Sequence, residues 1–274
     1  MPYWAFGFHF SREMADNSPI GIFDSGVGQL SILKETKKIL PKENFIIFAD
    51  YAHHPFGQKT NFQIKKYTLD ACKFLQGKHN IKLLIVACNT ASVAALEFLR
   101  KKIKIATIGV VPAVKPAFEK SKNIRVAIMS TVATAESSYL DRLIQEFANP
   151  KNVLKLDCPG LEAAIEASNN KEIDKLLGIY TEKIKRFKAK TVVLGCTHYP
   201  LIKNLIAKKL PSEIVLIDSG KAIAKRIKEI LTRSDQLSQE RLNDIFYTTK
   251  DPKIFAKRVS NFLKYKVIAN HVVV

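Results

Sequence analysis

Two stretches of the sequence decide the fold: Leu83-Leu-Ile-Val-Ala-Cys88-Asn-Thr90 and Thr191-Val-Val-Leu-Gly-Cys196-Thr-His198. Each stretch is an apolar run of strand length that is followed by a small residue, a cysteine and polar side chains. Continuous apolar runs are typical of parallel strands that helices cover on both faces. The two stretches lie about one small domain apart along the chain. They therefore predict two similar halves, each of which ends a strand in a cysteine.

The same alternation of strands and helices extends from residue 20 towards the end of the chain. Near-continuous apolar runs predict strands at residues 20–23, 45–49, 83–87, 105–110, 126–129, 153–156, 191–194 and 214–217. Apolar residues at three- and four-residue spacing predict helices at residues 62–75, 91–100, 137–147, 171–188 and 221–231. This order predicts an α/β protein with mostly parallel sheets. A closed barrel has the same alternation, but the internal similarity favours two halves.

The charge of the chain attracts anions. Lys plus Arg number 44 and Asp plus Glu number 25, which gives a formal net charge of +19. Such a charge attracts nucleic acids, anionic lipids or acidic metabolites. Most lysine clusters fall within helical patterns and lack interleaved aromatic residues, so we interpret them as solvated helix faces. Nucleic-acid binding on an enzyme scaffold is a disfavoured alternative.

Cysteine usage and hydropathy predict a cytoplasmic protein. The chain has 4 cysteines, too few and too widely spaced for a disulfide framework, and no C-x-x-C pair indicates structural zinc. The most apolar stretch, residues 81–99, contains polar side chains that a membrane-spanning helix would bury at a cost. The first residues do not have the pattern of a signal peptide. We expect neither secretion nor a membrane partner.

Three predicted strands end in unusually polar segments, which begin at Asp24, Cys88 and Cys196. In open α/β sheets the ligand crevice lies beyond the carboxyl ends of the strands. Two thiols on opposite sides of a cleft suit removal of a proton from one face of a carbon and its return on the other face. Asp24 and His198 are the nearest candidates to decide which thiol holds its proton.

Structural roles for these residues stay open at this point. Asp24 could only cap the following helix, and His198 could be a packed, hydrogen-bonded imidazole. A buried cysteine commonly behaves as a small apolar residue, and we interpret Cys72 and Cys158 in this way.

The sequence closely resembles the glutamate racemases, a family of cofactor-independent enzymes in the aspartate/glutamate racemase superfamily. Three segments carry the resemblance: Ile20-Gly-Ile-Phe-Asp-Ser-Gly-Val-Gly28, Val86-Ala-Cys-Asn-Thr-Ala-Ser92 and Val193-Leu-Gly-Cys-Thr-His-Tyr-Pro-Leu201. They occur in the order and at the spacing of that family. The resemblance covers nearly the whole chain from about residue 18.

The resemblance also implies roles for single residues. Cys88 and Cys196 would be the acid/base thiols on the D and L faces, assisted by Asp24 and His198 respectively. Glu166, which follows Cys158-Pro159, would be an auxiliary carboxylate. The implied substrate contacts are Asp24, Ser25, Phe56, Gly57, Asn89, Thr90, Thr131, Thr134, Thr197 and His198. Such donors can hold both carboxylates of glutamate, so we expect no metal and no cofactor.

Two departures from the family pattern concern substrate affinity. The family usually has Pro-Tyr-Gly where this chain has Pro55-Phe56-Gly57, so one phenol hydroxyl is missing from the expected pocket wall. A loss of about 1 kcal/mol is the scale of one such hydrogen bond. Gln29 replaces the second of two adjacent glycines.

These observations together predict two similar flavodoxin-like, three-layer domains with the active site in the cleft between them. We expect residues 18–112 plus 219–274 to form the first domain, residues 113–218 to form the second, and residues 1–17 to be a mobile tail. The implied activity is an isomerase that interconverts L- and D-glutamate by two-base proton transfer and supplies D-glutamate for peptidoglycan. A homodimer stays open.

Two further alternatives concern the ligand. Cleft length is not readable from the motifs, so a racemase of aspartate or another acidic amino acid is one alternative. A dinucleotide-binding oxidoreductase is the other, since Gly26-Val-Gly28 follows the first strand and Asp50 ends the next. Ser31 stands where the third glycine belongs, and Asp24 would repel a pyrophosphate, so this alternative is disfavoured.

Overall fold

The structure of the protein is a computed structural model that describes residues 16–119 and 124–274. Over these residues the strands are β1 (Ile20–Asp24), β2 (Phe45–Ala49), β3 (Leu83–Val86), β4 (Ala106–Gly109), β5 (Val126–Ser130), β6 (Val153–Asp157), β7 (Thr191–Leu194), β8 (Val215–Ile217), β9 (Ile245–Thr248) and β10 (Ala269–His271). The α-helices are α1 (Leu30–Ile39), α2 (Asn61–His79), α3 (Asn89–Lys102), α4 (Val114–Phe118), α5 (Val132–Ala135), α6 (Ser138–Phe147), α7 (Leu161–Glu166), α8 (Asn170–Arg186), α9 (Lys203–Lys209), α10 (Gly220–Arg233) and α11 (Pro252–Leu263). No helix of this described part is long and apolar enough to cross a bilayer.

The strands form two sheets, and every strand pair is parallel. The first sheet has the order β10-β9-β2-β1-β3-β4 and the second has the order β6-β5-β7-β8. The predicted α/β class with parallel sheets is confirmed, and all eight predicted strands are present. Strands β9 and β10 were not predicted. They are only four and three residues long and extend the first sheet beyond β2.

Each sheet is covered by apolar clusters on both faces. Along β1, Ile22 belongs to the same cluster as Leu33 and Ile227, whereas the next residue, Phe23, belongs to a cluster with Ile64 and Ala91 on the opposite face. Successive side chains of a strand point to opposite faces, which explains this division. The second sheet likewise has two clusters. Burial on both faces is the reason that the strands are continuously apolar.

Polar contacts hold the first described residue, Asp16, against the rest of the protein. Residues 1–15 of the expected tail lie outside the described residues. The Asp16 carbonyl oxygen accepts a hydrogen bond from Lys82 Nζ at 2.6 Å, and its carboxylate accepts one from Gln236 at 3.1 Å. After the second sheet, α10 packs against α1 and so brings the chain back to the first sheet.

Candidate active site

The parallel strands bring four polar segments to one cleft. Asp24 is the last residue of β1, and Cys88 is the N-cap of α3, two residues after β3. In the second sheet Thr131 caps α5 after β5, and Cys196 follows β7 by two residues. All four side chains are buried, and the thiols of Cys88 and Cys196 belong to residues that are only 4% and 5% exposed. The cleft is therefore closed to bulk water.

The Cys88 thiol faces a hydroxyl and two carboxylates. Its Sγ lies 3.8 Å from Ser25 Oγ, which is 3.5 Å from Glu162 Oε1. Burial raises the pKa of Cys88 well above its ordinary value, and the charges of Asp24 and Glu162 raise it further. The charge of Cys196 adds a smaller contribution to this rise. Cys88 therefore holds its proton in the absence of substrate.

The Cys196 thiol faces an imidazole instead. Its Sγ lies 3.8 Å from His198 Nδ1. Burial raises the pKa of Cys196, but the contact with His198 opposes that rise. Burial also disfavours a charged imidazole, yet Cys196 and Glu166 outweigh burial and raise the pKa of His198 well above its ordinary value. The site thus places an imidazolium beside this thiol.

Glu166 is the carboxylate that holds His198. Its Oε2 accepts hydrogen bonds from His198 Nε2 at 2.7 Å and from the Val27 N–H at 3.1 Å. Its Oε1 accepts from Arg258 at 2.8 Å and from the Tyr51 hydroxyl. Burial opposes ionisation, but the hydrogen bond and charge of His198 outweigh it, and the pKa of Glu166 is lowered to about 2. Glu166 is therefore anionic and fixed in orientation.

Asp24 joins the two halves of the site. Its Oδ2 accepts a hydrogen bond from Thr197 Oγ1 at 2.9 Å, and its Oδ1 accepts one from the Ser25 N–H at 2.7 Å. Burial raises the pKa of Asp24 to about 6, although the charge of His198 and the Thr197 hydroxyl act against the rise. Gly26, rather than Asp24, occupies the N-cap of the short 3-10 turn that follows. Asp24 therefore does not cap the following helix.

The remaining predicted substrate contacts fall into two groups. Thr90 Oγ1 lies 2.9 Å from Thr131 Oγ1 and 3.4 Å from Thr134 Oγ1, so these hydroxyls meet across the cleft. The Asn89 side chain donates to the Val110 carbonyl oxygen at 3.1 Å instead.

The loop after β2 places the other two predicted contacts. Phe56 is fully buried, and its ring centroid lies 5.9 Å from that of Phe23 and 6.4 Å from that of Tyr67. The neighbouring Gly57 packs against the second half, where an added Cβ would lie 3.0 Å from Thr131 Cβ.

The glycines after β1 allow close packing between the halves. A Cβ on Gly28 would lie 2.3 Å from Thr197 Oγ1, and one on Gly26 would lie 2.5 Å from Glu166 Oε2. Both distances are too short for real atoms, so a side chain at either position would displace Thr197 or Glu166. This packing explains the glycine pair that also fits a dinucleotide-binding fingerprint.

Four residues of the site were not predicted from the sequence: Tyr51, His54, Glu162 and Arg258. Glu162 lies one turn before Glu166 on α7 and so shares its face, which helical spacing could have shown. Burial opposes its ionisation, but contact with His54 and the charge of His198 lower the pKa of Glu162 overall. Tyr51 follows the end of β2 and fits the strand-end rule. No sequence signal distinguishes Arg258 from the many other basic residues.

Two parallel α/β sheets with a pair of cysteines in the cleft between them are the features of an amino-acid racemase that uses thiols. A family model described as Asp/Glu/Hydantoin racemase matches residues 31–227. The chain belongs to this family.

Similar proteins cover almost the full length of the chain. A protein named glutamate racemase from Pseudomonas syringae pv. tomato is 37% identical over 245 residues, which are 88% of this chain and 89% of the relative. The crystal structure of a glutamate racemase isoform from Bacillus anthracis is similar with a TM-score of 0.83 and 27% identity, over 94% of this chain and 98% of that one. Glutamate racemase from Francisella tularensis in complex with D-glutamate is similar with a TM-score of 0.81 and 29% identity, again over 94% and 98% of the chains.

Proposed function

We propose that this chain is a glutamate racemase, an isomerase that interconverts L- and D-glutamate. The observation that carries the proposal is the pair of buried thiols at the ends of β3 and β7, each with its own polar partner, in a chain of the racemase family. Relatives that are named glutamate racemase match most of its length. Their D-glutamate is used for peptidoglycan, and we assign the same context and a cytoplasmic location to this protein.

We assign proton removal from L-glutamate to Cys196. Its thiolate, beside the His198 imidazolium, takes the α-proton, and the electron pair of the broken C–H bond moves into the adjacent carboxylate. Cys88 then donates its S–H proton to the opposite face of the α-carbon, which gives D-glutamate. The reverse reaction uses Cys88 as the base and Cys196 as the acid. A thiol suits both roles because its unperturbed pKa is about 8.5, so a modest shift brings it close to neutrality.

The polar residues around the thiols would bind the substrate. The hydroxyls of Ser25, Thr90 and Thr131 can donate to the substrate carboxylates in place of their present contacts. These contacts are with the Cys88 thiol for Ser25 and with each other for the two threonines. Asp24 would assist Cys88. Because the cleft is closed, glutamate enters when the halves that meet at Gly28 and Thr197 separate. We place the division between the halves near residues 112 and 218 and expect no cofactor.

The decisive experiment is incubation with L-glutamate in deuterated water without added cofactor. We expect the optical rotation to decay to zero while deuterium appears at the α-carbon, because the proton that is returned comes from a thiol that exchanges with solvent. Unchanged rotation, or inversion without deuterium, would contradict the proposal. The same assay with L-aspartate tests the rival substrate, and we expect it to react more slowly than glutamate.

A further inference from the structure

One imidazole of the cleft has no part in the proposed proton transfer. His54 lies in the loop after β2, and its side chain is only 10% exposed. Its Nε2 is 3.2 Å from Glu162 Oε1, but it is not aligned for a hydrogen bond and has no hydrogen-bond partner among the residues described in the structure. Burying a ring nitrogen without a hydrogen-bond partner costs free energy, and a bound ligand at this position would remove that cost.

His54 is part of a compact group of metal-binding side chains. One ligand atom from each of His54, His198 and Glu166 lies within 4.8 Å of the other two. Two imidazoles and one carboxylate are a ligand set that zinc accepts, with a fourth position left for water. In a tetrahedral site with bonds of about 2.0–2.1 Å, neighbouring ligand atoms are about 3.3 Å apart. His198 Nε2 and Glu166 Oε2 are 2.7 Å apart. If these two atoms move slightly apart, to the distance between neighbouring zinc ligands, an ion can replace the proton between them.

The surroundings of the group are those that orient zinc ligands. Glu166 has its second oxygen fixed by Arg258 and Tyr51, and His198 has its other ring nitrogen directed at Cys196. Outer contacts of this kind fix the tautomer and the orientation of a ligand. The carboxylates of Glu162 and Glu166 supply negative charge close to the position of a dication.

We propose that His54, His198 and Glu166 bind one Zn²⁺ ion and that the bound ion inhibits the enzyme. An ion on His198 and Glu166 replaces the 2.7 Å hydrogen bond between them, and His198 is the side chain that contacts the Cys196 thiol. Imidazole ligands favour zinc over Mg²⁺, which prefers oxygen ligands and keeps its water. Zinc binding does not depend on the proposed racemase function, because the ion binds whether or not the chain inverts glutamate, whereas the inhibition rests on that function.

The test uses the Cys88→Ala/Cys196→Ala double variant, which removes the two cleft thiols as competing zinc ligands. Competition with a chromophoric chelator measures zinc affinity and stoichiometry. We expect one Zn²⁺ per chain in both the wild type and the double variant. Adding His54→Gln to the double variant should weaken binding by at least tenfold. Adding His53→Gln should leave it unchanged, because His53 stacks on Tyr67 and pairs with Asp50 away from the three ligands.

Cobalt supplies the second readout. In the double variant we expect Co²⁺ to give the visible bands of a tetrahedral site without a sulfur charge-transfer band, and zinc but not Mg²⁺ should displace it. In the wild type, micromolar zinc should stop glutamate inversion and a chelator should restore it. Loss of zinc binding in the double variant, or equal affinities for the His53→Gln and His54→Gln variants, would overturn the proposal. Binding is measured without turnover, so an inactive protein leaves this test intact.

Discussion

The two thiols of the cleft have different surroundings, although the strands that lead to them have the same pattern. Cys88 faces carboxylates, whose charges add to burial and raise its pKa further, whereas Cys196 faces His198, which opposes the effect of burial. The residue two positions after the cysteine contributes to this difference, because it is Thr90 in one half and His198 in the other. The halves are thus alike in fold, but the polar groups that act on their thiols differ.

Replacing either thiol tests the comparison most severely. We expect Cys88→Ala and Cys196→Ala each to lower kcat/KM for racemisation by about 10³-fold or more, since a positioned acid or base contributes about 10²–10⁴-fold. Deuterium exchange without inversion separates the two faces. Cys196→Ala should retain slow exchange only with D-glutamate, and Cys88→Ala only with L-glutamate.

Thermal unfolding is the control for both thiol variants. Each cysteine is buried, and alanine fits the space with a small cavity, so the melting temperature should fall only modestly. Full activity in either variant would refute the mechanism with two thiols. Exchange with the same isomer in both variants would refute the assignment of faces.

The two glutamates of α7 offer a smaller contrast. Glu166→Gln should lower kcat/KM by about 100-fold, because glutamine carries no charge to balance the His198 imidazolium. Glu162→Gln should cost about 10-fold, because Glu162 accepts only a 3.5 Å contact from Ser25 and lies beside the unaligned His54. Steady-state kinetics at pH 8 measures both. Equal losses of kcat/KM would show that the carboxylate on the Cys196 side matters no more than the carboxylate on the Cys88 side.

Sequence alone predicts the parts of this arrangement that depend on local pattern. The apolar runs mark β3 and β7, and the rule that ligands bind at strand ends selects Asp24 and both cysteines. The contacts of Glu166 with Arg258 could not be predicted, because they join residues that are distant along the chain and depend on how α11 packs. Strand β9, which precedes α11, was not predicted either. The chain has 44 Lys and Arg residues, so the sequence does not distinguish Arg258, which reaches the site, from the others.

The pH dependence tests the proposed role of Asp24 in assisting Cys88. Burial raises the pKa of Asp24 to about 6. If its carboxylate assists Cys88, protonation removes that assistance, so kcat/KM should fall about tenfold for each pH unit below 6. Asp24→Asn should have low activity and lose this acidic limb. A wild-type profile that is flat down to pH 5 would contradict the role of Asp24.

The smallest expected effect comes from Arg258, which acts on Cys196 only through Glu166 and His198. The guanidinium is partly exposed, with 32% of the side chain accessible, so its ion pair with Glu166 is worth about 1 kcal/mol and Arg258→Gln should lower kcat/KM about fivefold. Arg258→Lys keeps the charge and should recover part of the loss. Lys257→Gln, on the exposed side of the same helix, is the matched control and should have no effect. A loss as large in Arg258→Lys as in Arg258→Gln would mean that packing, rather than charge, links α11 to the thiol.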